Sequence, residues 1–145
     1  MGPPELLAFL RSHRLAVLAT SSSAGEPRAA VMGFAVTDRF EFVFDTLAST
    51  RKVPNLRENP RVALVVGGLA AGDERTAQVE GVADEPVGAE LGRLKAAYFG
   101  VFPEGRDRQA WPGILYFRVR PVGIRYSDFN VRPAAIAEFD GKALG

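Results

Sequence analysis

No cysteine occurs among the 145 residues, and that absence removes disulfides, thiolate metal sites, cysteine nucleophiles and redox-active CxxC pairs together. Such a chain tolerates a reducing compartment, so a cytoplasmic location is expected. Histidine is nearly absent too, with His13 standing alone. A zinc site would have to rest on carboxylates, and a hydrolase triad would have to recruit that one imidazole. No metal site is expected. Neither sign of charge is in excess: 18 Lys and Arg against 17 Asp and Glu leave a net +1. That is too small a field to hold nucleic acid or an anionic membrane, so any anion must be held by local residues. No GxGxxG or GxxxxGK[ST] marks a dinucleotide or nucleotide phosphate loop. Met1-Gly2-Pro3-Pro4-Glu5 lacks the basic segment and apolar run of a secretory signal, and no apolar stretch is long enough for a bilayer. With 47% hydrophobic residues at this length, one core and a single domain over residues 1–145 are expected.

What is present changes period along the chain. Residues 3–13 read as a short amphipathic helix, with prolines at its start and Leu6, Leu7 and Leu10 on one side. His13 falls in its last turn, where a base complements the helix dipole. The spacing then becomes 2. Residues 14–20 and 28–36 are apolar runs around the turn-rich Ser21–Pro27, a hairpin pattern. After Thr37-Asp38-Arg39, residues 40–46 place Phe40, Phe42 and Phe44 on one face and Glu41 and Asp45 on the other. Residues 49–59 are polar and partly helical, with Pro54 near the helix start. Strands follow at 61–66 and 76–83 around a Gly67-Gly68 loop, then a helix from Val87 to Gly100, and last strands at 114–120 and 122–126, separated by Pro121. Arg118 and Arg120 share a strand face beside Tyr116, which reads as solvated.

Strands mostly neighbouring in sequence, with few helices, point to a mainly β (α+β) domain. The expected architecture is a six- to seven-stranded antiparallel Greek-key barrel with two or three helices. A doubly wound parallel sheet would need regular strand–helix alternation.

One segment carries most of the chemistry: Phe44-Asp45-Thr46-Leu47-Ala48-Ser49-Thr50-Arg51-Lys52, followed by Asn55-Leu56-Arg57-Glu58-Asn59-Pro60-Arg61-Val62-Ala63-Leu64. A strand ends, hydroxyls lead into adjacent cations, and a helix begins. Hydroxyls, a guanidinium, an ammonium and free backbone N–H groups are what a phosphate dianion needs. The same composition also serves as a solvated capping segment with ordinary surface cations, and the residues alone leave both readings open.

The string T-x-x-x-[S/T]-R-K after an aromatic strand, then N-P-R-V-A-L, resembles the FMN-phosphate segment of the pyridoxamine 5′-phosphate oxidase-like split-barrel family. Leu15–Thr20 with Gly25-Glu26-Pro27-Arg28 resembles that family's opening hairpin, and Gln78-Val79-Glu80-Gly81-Val82-Ala83 its later V-E-G-x-A strand. The likeness runs in order over residues 14–126. It implies FMN as cofactor, held at a homodimer interface. Thr46, Thr50, Arg51 and Lys52 match positions that bind the FMN phosphate and ribityl chain, and Ser49 is a neighbouring donor. Ala30, Val31 and Met32 match the strand whose backbone lies along the flavin ring. Thr76 falls where the family often has a glutamine near the ring. A lid over the ring would come from Trp111, Tyr116, Tyr126 or Phe129, with Trp111 the best placed on its loop.

Two departures shape the expected function. No histidine follows His13, so the Arg-x-His element that takes a vitamer phosphate is missing, and Gly33-Phe34 stands where a lysine lies near the flavin. The resemblance therefore implies an FMN-binding oxidoreductase or flavin reductase with a small-molecule electron donor or acceptor, not a true pyridoxamine phosphate oxidase. No catalytic side chain is assigned, because the flavin carries the electron transfer. Two other readings stay open: a non-catalytic flavin-binding or sensing protein, and a barrel whose groove takes deazaflavin F420 or haem.

Overall fold

The computed structural model describes residues 1–145. In chain order the elements are α1 (Pro3–Arg11), β1 (Leu15–Ser21), β2 (Pro27–Gly33), β3 (Ala35–Val36), β4 (Phe42–Leu47), α2 (Lys52–Glu58) and β5 (Arg61–Gly67). There follow β6 (Arg75–Asp84), α3 (Gly88–Val101), α4 (Gly105–Arg108), β7 (Ile114–Asp128) and β8 (Ala135–Asp140). All strands join one antiparallel sheet in the order β2-β1-β5-β6-β7-β4-β3, with β8 beside the second half of β7.

The two end strands of that order, β2 and β3, are separated in the chain by Phe34 alone. The sheet must therefore curl until its edges approach, which makes it a barrel with a split between β2 and β4. Phe34 is buried at the seam and donates its N–H to the Arg14 carbonyl at 3.1 Å. Gly33 is needed there because a Cβ would lie 2.8 Å from the Phe102 ring, which packs against its backbone. Inside, 31 buried residues form one hydrophobic cluster. Phe44 and Phe117 face each other across the β4–β7 pair and stack at 5.8 Å between centroids, so truncating either to alanine costs about 3–5 kcal/mol.

The architecture is the expected split barrel, with eight strands and four helices rather than six or seven and two or three. The run at 28–36 breaks at Phe34 because the chain there changes sheet edge. The two last strands are one bent strand, β7, with Pro121 between the stretch that pairs with β4 and the stretch that pairs with β8. A residue there has no ladder partner on that side, so the missing N–H costs nothing. Opposite the bend, β6 bulges at Glu80/Gly81, and a Cβ on Gly81 would lie 2.6 Å from Val119 Cγ1 and 2.7 Å from the Arg120 carbonyl oxygen. Strand β8 lies beyond the expected set, since its stretch has little bulk to reveal alternation.

Phe42 and Phe44 point inward and Asp45 outward as expected, while Phe40 lies before the strand in a left-handed conformation (φ 59°). The Arg118 expectation is overturned. Helix α3 covers the face assumed to be solvated, and Arg118 is 4% exposed. Its guanidinium donates to Asp84 at 2.9 and 2.6 Å and to Glu41 at 3.0 Å. Glu41 also accepts two bonds of 2.8 Å from Arg93 on α3 and one of 2.8 Å from the Thr37 hydroxyl. Arg93, then Thr37 and Arg118, hold the Glu41 carboxyl down to about 2 despite its burial. Arg120, two residues on, is exposed. No helix is long and apolar enough to cross a membrane.

Candidate functional site

At the end of β4 the chain makes a tight turn stitched by hydroxyls. Thr46 and Thr50 Oγ1 lie 3.0 Å apart, and the Thr50 hydroxyl donates to the Leu47 carbonyl at 3.0 Å. Helix α2 then packs back on the barrel through Val53 and Leu56. Its third inward residue is polar: Asn55 donates from Nδ2 to the buried Thr20 hydroxyl of β1 at 3.2 Å. A buried polar pair of this kind fixes orientation, because either partner alone would be left unsatisfied. The outer side of α2 is tied down by a bidentate Arg57–Glu85 pair at 3.0 and 2.9 Å.

This docking sets the start of α2 against the end of the β1–β2 hairpin, beside the split. Between them lies a cavity of about 470 Å³ lined by Leu18, Thr20, Pro27, Arg28, Ala29, Ala30, Arg51 and Lys52. Three cations and no carboxylate line it. None of the three has an ion-pair partner anywhere in the protein. Lys52 is half-buried, and that burial lowers its ammonium below the usual lysine range. A bound anion offsets this cost directly. The backbone offers less than the sequence implied: α2 has seven residues, the Val53 N–H is spent on the Thr50 carbonyl at 3.3 Å, and Pro54 has none. Anion recognition here rests on side-chain cations.

The remaining candidates divide. Ala30 and Met32 share the Arg28 face of β2 and turn toward the barrel, while Val31 turns outward and is 63% exposed, leaving only its backbone beside the split. Thr46 is buried, Thr50 half-buried, and Ser49 exposed on the turn before Arg51. Thr76 is not brought to the cavity. It pairs with Gly67 and Ser127 toward the other end of the strands. Trp111 is half-exposed, and its loop is joined to the same turn by the Ala48 N–H donating to the Gly113 carbonyl at 2.7 Å. Tyr116 and Tyr126 are core residues and not free to act as lids, Tyr126 lying edge-on to Phe9 at 5.1 Å. Phe129 is exposed by the β5–β6 loop, where its N–H donates to the Glu74 carbonyl.

Sequence reasoning missed Arg28, Thr20 and Asn55 as members of this site. Arg28 falls in alternation with Ala30 and Met32, so its side could have been read once that strand was accepted. The Asn55–Thr20 pair spans 35 positions and left no local signal.

A family model described as pyridoxamine 5′-phosphate oxidase matches residues 3–128. The chain belongs to the pyridoxamine 5′-phosphate oxidase family. Within it, the pyridoxine/pyridoxamine 5′-phosphate oxidase of Crocosphaera subtropica (strain ATCC 51142 / BH68) is 35% identical over 94 residues, covering 65% of this chain and 41% of that protein. The matched region thus spans about two fifths of the relative's length. Among solved structures, a heme-binding protein from Mycobacterium smegmatis superposes with a TM-score of 0.82 at 17% identity, over 99% of this chain and 60% of that one. A pyridoxamine 5′-phosphate oxidase-related, FMN-binding protein from Nostoc punctiforme PCC 73102 gives 0.69 at 15% identity, over 94% and 87%. At these identities the structural likenesses carry the split-barrel fold of the family and nothing finer.

Proposed function

We propose that the protein binds FMN by its phosphate and acts as an FMN-dependent oxidoreductase or flavin reductase, as a homodimer. The observation that carries this reading is the convergence of unpaired Arg28, Arg51 and Lys52 on one cavity beside the split. When bound, the flavin supplies hydride and electron transfer. The chain supplies the rest. Arg28, Arg51 and Lys52 hold the phosphate, Asn55 and the Thr46–Thr50 pair position the helix and turn that carry two of those cations, and the β2 backbone at Ala30–Met32 lies along the ring. Trp111 stands on the adjoining loop, where an aromatic excludes water from the ring.

The haem reading has less support. The only imidazole, His13, sits beyond the end of α1 with Nδ1 3.0 Å from the Phe9 carbonyl and its ring 4.7 Å from that of Phe9. It lies beside Gly67, at the end of β5 opposite the cation cavity. A haem in the groove would need a different ligand. Oxidation of a vitamer phosphate has less support as well: of the late cations, Arg118 is locked to Glu41 and Asp84, Arg125 donates to Glu138 at 2.7 Å, and no histidine follows His13.

The outer sheet face supports the dimer. Val31, Val17 and Val65 stand in register across β2, β1 and β5, and Leu15, Val31 and Val65 are 59, 63 and 38% exposed. An uncharged valine row of this kind fits a second copy of the same row. The visible spectrum of freshly purified protein, with mass analysis of what heat releases, tests the cofactor. A flavin spectrum and the mass of a phosphorylated flavin are expected, and a Soret band would overturn the reading. The flavin-loaded protein is expected to form no pyridoxal 5′-phosphate from micromolar pyridoxamine 5′-phosphate, and light scattering is expected to give a dimer.

A further inference from the structure

Between α4 and β7 the chain carries its only tryptophan on a short loop, and both ends of that loop are fastened to the end of β4. At the near end, Arg108 Nε donates to Asp45 Oδ2 at 2.8 Å, with the two side chains only 21 and 11% exposed. Tyr98 of α3 closes the triangle: its hydroxyl donates to Asp45 Oδ1 at 3.0 Å and accepts from Arg108 at 3.2 Å. At the far end the Ala48 N–H holds the Gly113 carbonyl. Between these anchors the Trp111 N–H donates to the Arg108 carbonyl at 2.9 Å, and the Ile114 N–H to the Trp111 carbonyl at 3.3 Å. The backbone of Trp111 is therefore fixed while its side chain stays 50% exposed. A large aromatic shown to solvent on an anchored loop is placed for a ligand.

Satisfying the polar groups of this corner would not by itself select the Arg108–Asp45 pair. Asp45 stands directly across the β4–β7 ladder from Tyr116, whose hydroxyl is buried without a partner. Burial pushes that phenol up, and Asp45 and Arg108 are close enough to act on it as well. With both Asp45 oxygens taken by Tyr98 and Arg108, the cross-strand phenol goes unsatisfied. Departures of this kind gather where a site requires one fixed geometry. Resting on the flavin reading above, we infer that Asp45 and Arg108 are positioning residues: their ion pair sets the loop that holds Trp111 against the bound flavin ring. Neither lines the cation cavity. They act through the loop, and because Asp45 and Ala48 bracket Thr46, the ring cover and the phosphate turn are carried by the same strand end.

Calorimetric titration of apo-protein with riboflavin and with FMN tests this in the wild type, Trp111→Ala, Arg108→Ala and the double variant. Trp111→Ala is expected to weaken both ligands about tenfold, the loss of one aromatic contact with the ring. Arg108→Ala is expected to weaken both about fivefold, and the double variant to bind within about twofold of Trp111→Ala, because the two residues act as one unit. Tyr98 still donates to Asp45 when Arg108 is gone. Gly113→Ala disturbs the loop from its other anchor, where φ is 78°, leaves Asp45 paired, and is expected to behave as Arg108→Ala does. Riboflavin affinity unchanged in Trp111→Ala, or in both Arg108→Ala and Gly113→Ala, would overturn the positioning role. So would an Arg108→Ala loss that persists undiminished in the Trp111→Ala background, or one confined to FMN. Equal affinity of the wild type for FMN and riboflavin overturns the phosphate reading instead, and the riboflavin series still decides the role of Arg108. Binding of neither flavin overturns both.

Discussion

Two groups of cations in this protein share residue types and differ in every other respect. Around Arg118, guanidiniums from β7 and α3 are matched by Glu41, Asp84 and Glu90. Around the hairpin end, Arg28, Arg51 and Lys52 face a cavity with no carboxylate. The first group closes on itself and pins α3 to the sheet. The second leaves its charge available. A buried cation whose partners come from the fold serves structure, whereas a half-buried cation without one, such as Lys52, is stabilised only when something else arrives.

The largest effect is expected at Glu41. Glu41→Ala leaves Arg118 buried with one carboxylate fewer and is expected to cost about 3–5 kcal/mol, read as a shifted urea midpoint. Its preference for FMN over riboflavin is expected to persist, because the two groups are separate. Arg51→Ala with Lys52→Ala inverts that pattern. Two charge-assisted contacts at about 1.5 kcal/mol each predict roughly a hundredfold loss of FMN affinity, with thermal stability within about 0.5 kcal/mol of wild type. Destabilisation comparable to Glu41→Ala would place these cations among the structural ones.

Asn55→Leu sharpens the contrast, because Asn55 supports the second group from within the core. A lost hydrogen bond and an unsatisfied Thr20 hydroxyl predict about 1–2 kcal/mol of destabilisation and a smaller loss of FMN affinity than the double cation variant, measured in the same two assays. The gentlest probe is acid. Glu41 has its carboxyl lowered from 4.5 to about 2 in the folded state, so its contribution is complete above pH 4.5 and is lost as pH falls toward 2. The Glu41→Ala protein is expected to lack that part of the acid dependence.

The sequence made the binding group more visible than the structural one, for a physical reason. Thr46, Ser49, Thr50, Arg51 and Lys52 are contiguous, and their departure from apolar alternation shows locally. Arg118 alternates correctly with Tyr116 and Arg120, but alternation says which residues share a face and not what covers it, and α3 covers this one. The seam at Phe34 was similarly hidden. Residues 28–36 are apolar throughout, and only closure of the barrel divides them between opposite edges. Strand β8 left little trace because Ala135 and Ala137 supply small side chains where larger ones would have marked the period. Arg28 lay in view within the hairpin, yet its role depends on α2 returning to the same corner, which an Asn55–Thr20 contact 35 positions apart arranges.

The measurement that bears most directly on the available charge at the hairpin end is the affinity of apo-protein for FMN against riboflavin, at low and at high salt. FMN is expected to bind about a hundredfold or more tightly than riboflavin at low salt, a preference that narrows as salt rises. Equal affinity for the two ligands would contradict it, since a site built on Arg28, Arg51 and Lys52 must favour the ligand that carries the phosphate.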